Sequence, residues 1–569
     1  MSSPSPRPRL TITDWLVLAI ASIGFLFDSY QLLMTPLVGV PGIAELLNLP
    51  PSNPQVTEWM GRLQWISAAC GGIFGLLGGW LIDRLGRKRV MVASIVLYSV
   101  SPAAAAFSTS LWSFIFFRCV TFIGVCVEFV AAITWLAELF PNKRQKEIAL
   151  GVTQAFASLG GLFVTRISLW MSTNAKGLTA LPVGEAFNQH APWRYLLLTG
   201  ILPVIPIILM LPFVPESQVW RERRAAGTLR RPSFGELFSP ELRRITLITA
   251  ALSACAYGAA FGALQITTRV IVPGLPELTH ARASLKPLVD QAKILNNQLN
   301  AIMPSFQKTL EATPGLHELT SKRAQTRIEQ RAAKKADNKE RLAALAGEFK
   351  GYDAELDKLS AGKPEVKKSV IDREKILKDL GDNRDLQQPL ISEIGEQGDK
   401  TQFGQELGGL IGRIVLALLL LTSISRGRLL RLFLVPGIVL FAITYTQLYH
   451  TGGTAFAAGI FLCGFCVVAQ FSYFGEYLPK VFPLHLRGTG ASFATNVGGR
   501  MIGTFAAVIS TNVIAPMLNH TPTVNDYATA ACIVGVSVFV IGLLLSFLLP
   551  EPKEEAPAAI SADEAIRRA

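Results

Sequence analysis

The sequence predicts an all-α membrane protein: twelve transmembrane helices in two sets of six, with an extracytoplasmic helical insert in the second set. Three observations carry that expectation. Half of the 569 residues are hydrophobic and only 17% are charged, for a mean hydropathy of +0.38. The apolar residues come in blocks of about 20, which at about 1.5 Å per residue crosses roughly 30 Å of hydrocarbon. The charged residues gather in alternate loops and in one long polar stretch, residues 277–403.

Taken in order, the apolar blocks place spans near 14–37, 59–82, 89–107, 111–138, 147–171 and 193–214, then near 245–272, 406–424, 430–449, 454–479, 489–515 and 527–549. The first tail, "MSSPSPRPRLTITDW", leads into a long span without a small-residue cleavage site, which predicts a retained first helix and not a signal peptide. A basic loop, "RERRAAGTLRRPSFGELFSPELRR", separates the two sets. The expected division is 1–220 for the first bundle, 221–244 for the linker and 245–276 for helix seven. The insert follows at 277–403, the rest of the second bundle at 404–550 and a tail at 551–569.

Basic residues in short loops set orientation. Arg84, Arg87, Lys88 and Arg89 follow span two, Lys143, Arg144 and Lys146 follow span four, and Arg426, Arg428 and Arg431 follow span eight. The loop between spans ten and eleven adds Lys480 and Arg487, while the short loops after odd-numbered spans hold almost none: Lys176, with Arg194 at the mouth of span six. Both termini are therefore expected in the cytoplasm of a cell that holds the protein in its inner or plasma membrane. The insert, which follows span seven, is expected outside. Its apolar residues recur at Leu285, Leu288, Ala292, Leu295, Leu299, Ile302 and Phe306, and again at Leu342, Leu345, Phe349, Tyr352, Leu356 and Leu359. That alternating spacing of three and four predicts coiled-coil seams in two or three long helices folded as a hairpin, with Pro304 kinking or ending the first. Ordinary solvation accounts for the charges on the other faces; a protein partner for 277–403 stands as the alternative.

The net charge of +13 does not imply nucleic acid, because nothing interleaves bases with aromatics on one surface. All seven cysteines, including the Cys463-x-x-Cys466 pair, lie inside apolar segments, where small packing residues are the simpler reading. No nucleophile–base pairing, metal-ligand cluster or phosphate-cradling glycine loop suggests an enzyme, a metal or a cofactor.

Several strings share one family pattern. "GGWLIDRLGRKR" (78–89) joins spans two and three. "FRCVTFIGVCVEFVAAITWLAELFPNKR" (117–144) carries Arg118, Gly124, Glu128 and Glu138, and the sixth span runs from a Trp-Arg entry to a Pro-Glu-Ser exit at Glu216. "YLPKVFPLHLRGTGASFATNVGGR" (477–500) links spans ten and eleven. Together they resemble the major facilitator superfamily of secondary transporters, most closely its proton-linked sugar and organic-acid symporters, such as those for sialate and lactate. The resemblance covers nearly everything except the insert.

That resemblance implies roles for particular residues. Asp28, an acid inside "ASIGFLFDSYQLLM", and Arg118 resemble the family's proton-coupling pair, with Glu128 a second acid. Ionisable groups at this depth are expensive and functional by default. Burial favours the protonated carboxyl and a nearby guanidinium the ionised one, so a change in their spacing would take up or release a proton. Tyr30, Gln31, Gln154, Arg166, Tyr257, Gln265, Gln470, Tyr473, Asn496 and Arg500 are the candidates for contact with solute, though each has an alternative as a helix-packing hydrogen bonder. Gln31 stands where organic-acid relatives often carry a second acid, and helix seven lacks the glutamine-rich string of sugar porters. Additional intramembrane arginines favour an anion over a sugar. Asp83, Arg84, Arg87, Glu138, Arg144 and Glu216 are the implied cytoplasmic gate. Its second-half counterpart departs from the pattern: "SISRGR" lacks an acid and Lys480 replaces a glutamate, leaving Glu476 and Arg487 as substitutes. The reading is a proton-coupled symporter of a small polar solute in a lipid bilayer. A non-transporting sensor displaying the insert, and a uniporter or antiporter of the same fold, stand as alternatives.

Overall fold

The computed structural model describes residues 12–551 except 140–142, 185–186, 211–215, 217, 226–233, 336, 421, 423 and 484–485. Among the described residues it is helical throughout, and it divides into two compact units. One is His280–Glu393; the other joins the parts of the chain on either side.

The larger unit begins with α1 (Ile12–Leu47), α2 (Pro54–Leu85), α3 (Arg87–Ala105), α4 (Leu111–Leu139) and α5 (Lys143–Asn174). Two short helices, α6 (Pro192–Leu198) and α7 (Val204–Met210), stand where one sixth span is expected, with α8 (Gln218–Ala225) beyond them. The second set holds α9 (Arg243–Gly274), part of α13 (Pro364–Leu420), α14 (Arg426–Thr451), α15 (Gly453–Val481), α16 (Thr489–Leu518) and α17 (Val524–Ser546). Helical segments therefore lie at all twelve expected positions. Eight described helices are long and apolar enough to cross a membrane by length and composition, and the chain is a multi-pass membrane protein. The second, third, fifth and sixth positions are not among the eight; at the sixth, a 3₁₀ turn at Thr199–Ile201 interrupts the described helix.

Local chemistry sets the helix ends. Asn53 caps α2, its side chain accepting from the Gln55 amide at 2.9 Å ahead of Pro54 at the first helical position. Gly86 turns the chain from α2 into α3 at φ 102°, and Gly452 turns α14 into α15 at φ 70°, a conformation only glycine adopts without strain. These two turns mark opposite ends of the bundle. The two halves meet along α2 and α16. There Trp65 Nε1 donates to the Met501 carbonyl at 3.0 Å, and a Cβ at Gly72 would lie 3.0 Å from the Asn496 carbonyl oxygen. Small residues at such contacts let helix backbones approach.

The smaller unit is built from α10 (Thr279–Ala312), α11 (Leu316–Lys335), α12 (Lys339–Leu359) and the first part of α13. Phe306, Leu316, Leu319, Leu356, Val366 and Val370 form its core. It departs from the expected hairpin in three ways. Four helical segments share one small core in place of two or three long ones, and of the first predicted seam only Phe306 is deeply buried. Helix α10 continues through Pro304, since Asn300, whose carbonyl loses its donor, is exposed to water. Finally, α13 runs without a break from the polar insert into the apolar eighth span, so no turn separates the two at 403–406.

Candidate functional site

Asp28 lies on α1 facing α4, and Glu128 comes from α4 to meet it. Both are buried, and their carboxyls are within hydrogen-bond reach of one another. Gly24, one turn before Asp28, leaves the space that Glu128 occupies; a Cβ there would overlap Glu128 Oε1. Neither oxygen of Glu128, nor Oδ1 of Asp28, has a donor among the described residues. Ionised carboxylates only accept, so the bond that fits this geometry is a proton carried by one acid and shared with the other. The hydroxyl of Tyr98, on α3, faces the same pair and is likewise buried without a partner.

The opposite charge acting on Asp28 is Arg500, from α16 in the other half. Its Nη1 donates to Asn496 Oδ1 at 2.7 Å, its guanidinium lies 5.5 Å from the ring centre of Phe129 on α4, and it bonds the Tyr257 hydroxyl on α9. Asn496 and Arg500 sit on the π-helical stretch Phe493–Ile502. Tyr257 stands one turn before another, Ala260–Leu264. Such widened turns redirect side chains and recur at functional sites. Tyr257 stacks on Phe261 at 6.0 Å and meets Phe471 edge-on at 4.9 Å. Beyond it lies Arg413, and beyond Arg413 is Glu406, both on α13.

Glu406 was not anticipated from the sequence. It is buried, accepts from Gln405 Nε2 at 3.0 Å, and packs on α5, where a Cβ at Gly161 would lie 2.5 Å from its Oε2. A chain of buried and part-buried polar groups therefore runs Glu128, Asp28, Arg500, Tyr257, Arg413, Glu406, crossing the seam between the halves.

The fold has counterparts among known proteins. Residues 16–279 match the family profile described as the Major Facilitator Superfamily. A D-xylose–proton symporter has the same fold, covering 96% of this chain and 100% of that one with a TM-score of 0.56 at 13% identity. Over residues 16–279, a little under half of its length, the chain is similar to the Major Facilitator Superfamily. Similar proteins include a cis,cis-muconate transport protein of Acinetobacter baylyi, 27% identical over 45% of this chain and 57% of that one. A sialic acid transporter of Escherichia coli is 24% identical over 45% of this chain and 54% of that one. The aligned stretch thus spans little more than half the length of each relative.

Within this superfamily fold, the other expected site residues separate into groups. Arg118 does not meet Asp28. Its Nη2 donates to the Gln31 carbonyl at 3.0 Å and to Thr35 Oγ1, up to seven residues further along α1, about 10 Å at 1.5 Å per residue. Tyr30 bonds Thr199 Oγ1 at 2.5 Å, and Gln31 donates to the Gly200 carbonyl at 3.1 Å, so both tie α1 to the broken sixth helix. Gln265 meets Gln64 of the other half at 3.3 Å. Gln470 bonds its own helix at Cys466, and Tyr473 stacks on Tyr477 at 5.3 Å. Arg166 is exposed, over the ring of Phe403 at 5.8 Å. The side chains of Gln154, Asp83, Glu138, Arg144 and Arg487 lie outside the described residues.

At the Gly86 end, Glu216 Oε1 accepts from the Arg87 and Lys88 amides at 2.9 and 3.1 Å, placing a carboxylate on the positive end of α3; Arg84 is exposed nearby. The second half repeats this device with a residue not anticipated. Glu551 accepts from the Arg426 and Gly427 amides at 3.1 and 3.2 Å, at the start of α14. Glu476 pairs with Arg426 at 3.2 Å and with Lys480. The repeated signal was legible as Pro215-Glu216 and Pro550-Glu551, after the sixth and twelfth spans.

Proposed function

We propose that this chain is a secondary transporter that moves a small organic anion across a membrane together with protons, by alternating access. The observation that carries the reading is the Asp28–Glu128 pair facing Arg500 across the seam. When the acids share a proton, less negative charge faces Arg500, and its guanidinium is freed to hold a solute carboxylate with bidentate geometry. When the proton leaves, Asp28 competes for the same cation. Proton and anion therefore favour each other's binding, and by linkage the effect is reciprocal. The muconate and sialic acid relatives support an anion ahead of a sugar.

The basic loops support an orientation with both termini in the cytoplasm and the insert outside. In that orientation Arg84, Arg87, Glu216, Glu476 and Glu551 lie at the cytoplasmic end, where helix-end carboxylates hold the gate. Asn496 and Tyr257 position Arg500, while Arg118 braces α1 through its carbonyl at Gln31.

The test is solute-dependent proton movement in proteoliposomes, with cis,cis-muconate, sialic acid and xylose as probes. Native protein is expected to alkalinise the outer medium during uptake of a carboxylate probe, and Asp28→Asn to abolish that signal. Undiminished proton-driven uptake by a folded Asp28→Asn protein removes Asp28 from the mechanism. Uptake without proton movement replaces symport with uniport.

A further inference from the structure

Glu406 is a buried acid that the Asp28–Arg500 mechanism leaves unused, and its position differs from that of Glu128 in one respect. Glu128 and its cradle at Gly24 belong to the same half, so rigid movement of the halves leaves their contact intact. Glu406 belongs to α13 in the second half, while the surface covering its Oε2 is Gly161 of α5 in the first. Leu33 of α1 borders the same space. A movement that parts α5 from α13 uncovers the carboxyl, and the reverse movement buries it. We propose that Glu406 is a second proton-exchange site, carried by the half opposite Asp28 and alternately exposed to water and withdrawn from it as the seam at Gly161 opens and closes.

The surroundings fit a group that exchanges a proton. One oxygen takes a single amide bond, from Gln405 Nε2. On its own helix the charged neighbours are Arg413, two turns onward, and Asp399 with Lys400, two turns back; Asp399 is already paired to Arg269 at 2.5 Å. From α9 the nearest titratable group is Tyr257, which stands beyond Arg413. From α5 it is Arg166, turned toward Phe403, and on α1, whose Leu33 borders the space, it is Tyr30, bonded to Thr199. Helix α15 meets this stretch through Gly464, against the Gln405 carbonyl, and offers Cys463 and Cys466. Arg413 acts on Glu406 electrostatically along α13, while the oxygen covered by Gly161 is the one that parting of the seam uncovers. The Gln405 amide serves the carboxyl in either state, as donor to the ionised form and to the carbonyl oxygen of the neutral one.

The site rests on the transport reading for its consequence, a second coupled proton, and not for its detection. The experiment is an infrared difference titration of the full-length protein in lipid nanodiscs, without solute, following the protonated-carboxyl C=O bands as pH is raised. Glu406→Gln is expected to lose one titrating band that Asp28→Asn retains. Glu406→Asp is expected to restore that band at a shifted frequency. Gly161→Ala, which puts a methyl group against Oε2, is expected to shift the same band. A Glu406→Gln spectrum superimposable on the native one overturns the proposal, as does a band unmoved by Gly161→Ala. If none of the carboxylate probes is transported by native protein, the function fails while the titration still decides Glu406.

Discussion

Arg269 and Asp399 form an ion pair at 2.5 Å although 130 residues separate them in sequence. The pair is mostly buried and further tied: Ser168 of α5 donates to Asp399 Oδ2 at 3.0 Å, and Arg269 donates to the carbonyls of Gly395 and Leu37 at 2.5 and 3.3 Å. Gln402 adds a bond to the Leu33 carbonyl at 3.1 Å. Leu33, Leu37 and Ser168 belong to the first half, Arg269 and Asp399 to the second. The bundle is thus fastened across its seam at the end away from Gly86, where α9 leaves toward the insert and α13 returns.

Breaking one partner of a buried pair strands the other's charge, at a cost of about 3–5 kcal/mol. Asp399→Ala should therefore favour states in which this end of the seam is parted. Hydrogen exchange is expected to rise at 267–275 and 394–402 while α3 and α4 stay protected. Native-like protection at both segments would show that the pair does not fasten the seam.

Asp28→Asn and Glu128→Gln each leave the shared proton without one of its two acids. Proton-driven accumulation of a carboxylate probe should fall by about tenfold or more, a loss of at least about 1.4 kcal/mol of coupling, while solute exchange at equal concentrations on both sides persists. The sign of the pH dependence follows from the same sharing: raising the pH removes the shared proton and returns Asp28 to Arg500, so native uptake should decline. Asp28→Asn should flatten that profile. A native-shaped profile in the Asn variant would place the coupling proton elsewhere.

Much of this arrangement was legible in the sequence, and the failures have common physical causes. Span positions follow from apolar block length, and Asp28, Glu128 and Arg500 stand out because ionisable groups are rare at that depth. Pairing is another matter, since one residue along a helix turns a side chain by about 100°. The family resemblance implies Arg118 as the partner of Asp28; rotation and the gap at Gly24 bring Glu128 to it instead. Glu406 was hidden for a different reason. As the first residue of an expected span at 406–424 it has the place of a boundary residue. With α13 continuous from Pro364 to Leu420, Glu406 lies well inside the bundle. Where a polar helix runs unbroken into an apolar one, tertiary contacts alone set the point of entry. Glu551 is hard to see in the sequence because its repeat unit is only a Pro-Glu pair.

Arg500→Lys tests whether the cation works as a fork or as a charge. Lysine keeps the charge but cannot span Asn496, Tyr257 and a carboxylate in one plane. Binding of muconate by the purified protein, measured calorimetrically at low pH, should weaken by about ten- to a hundredfold, roughly 1.4–2.7 kcal/mol, and Arg500→Ala should abolish it. Equal affinity in the Lys variant would mean that no bidentate contact forms.

The insert offers a prediction independent of transport. Arg323 donates to Glu374 through Nε and Nη2 at 2.6 and 2.9 Å and to Asp353 at 2.7 Å, and Arg327 reaches Glu374 at 2.5 Å. Both guanidinium groups lie about the ring of Phe349, at 4.8 and 5.1 Å. Burial works against the Arg323 charge, but the bonds to Glu374 and Asp353 outweigh it and hold its pKa above the ordinary guanidinium value. A group whose folded pKa is raised stabilises fully below its unfolded pKa and loses that contribution only as pH climbs through the folded one. Arg323 therefore keeps its charge across the physiological range. Arg323→Ala leaves Glu374, which is 8% exposed, to Arg327 alone, and the loss of its charge-assisted bonds should cost about 3 kcal/mol. Hydrogen exchange in the full-length protein should then accelerate roughly a hundredfold or more across 316–335 and 366–380, with the α1–α5 bundle unchanged. Native protection in those helices would assign the insert's stability to the Phe306–Leu356 core alone.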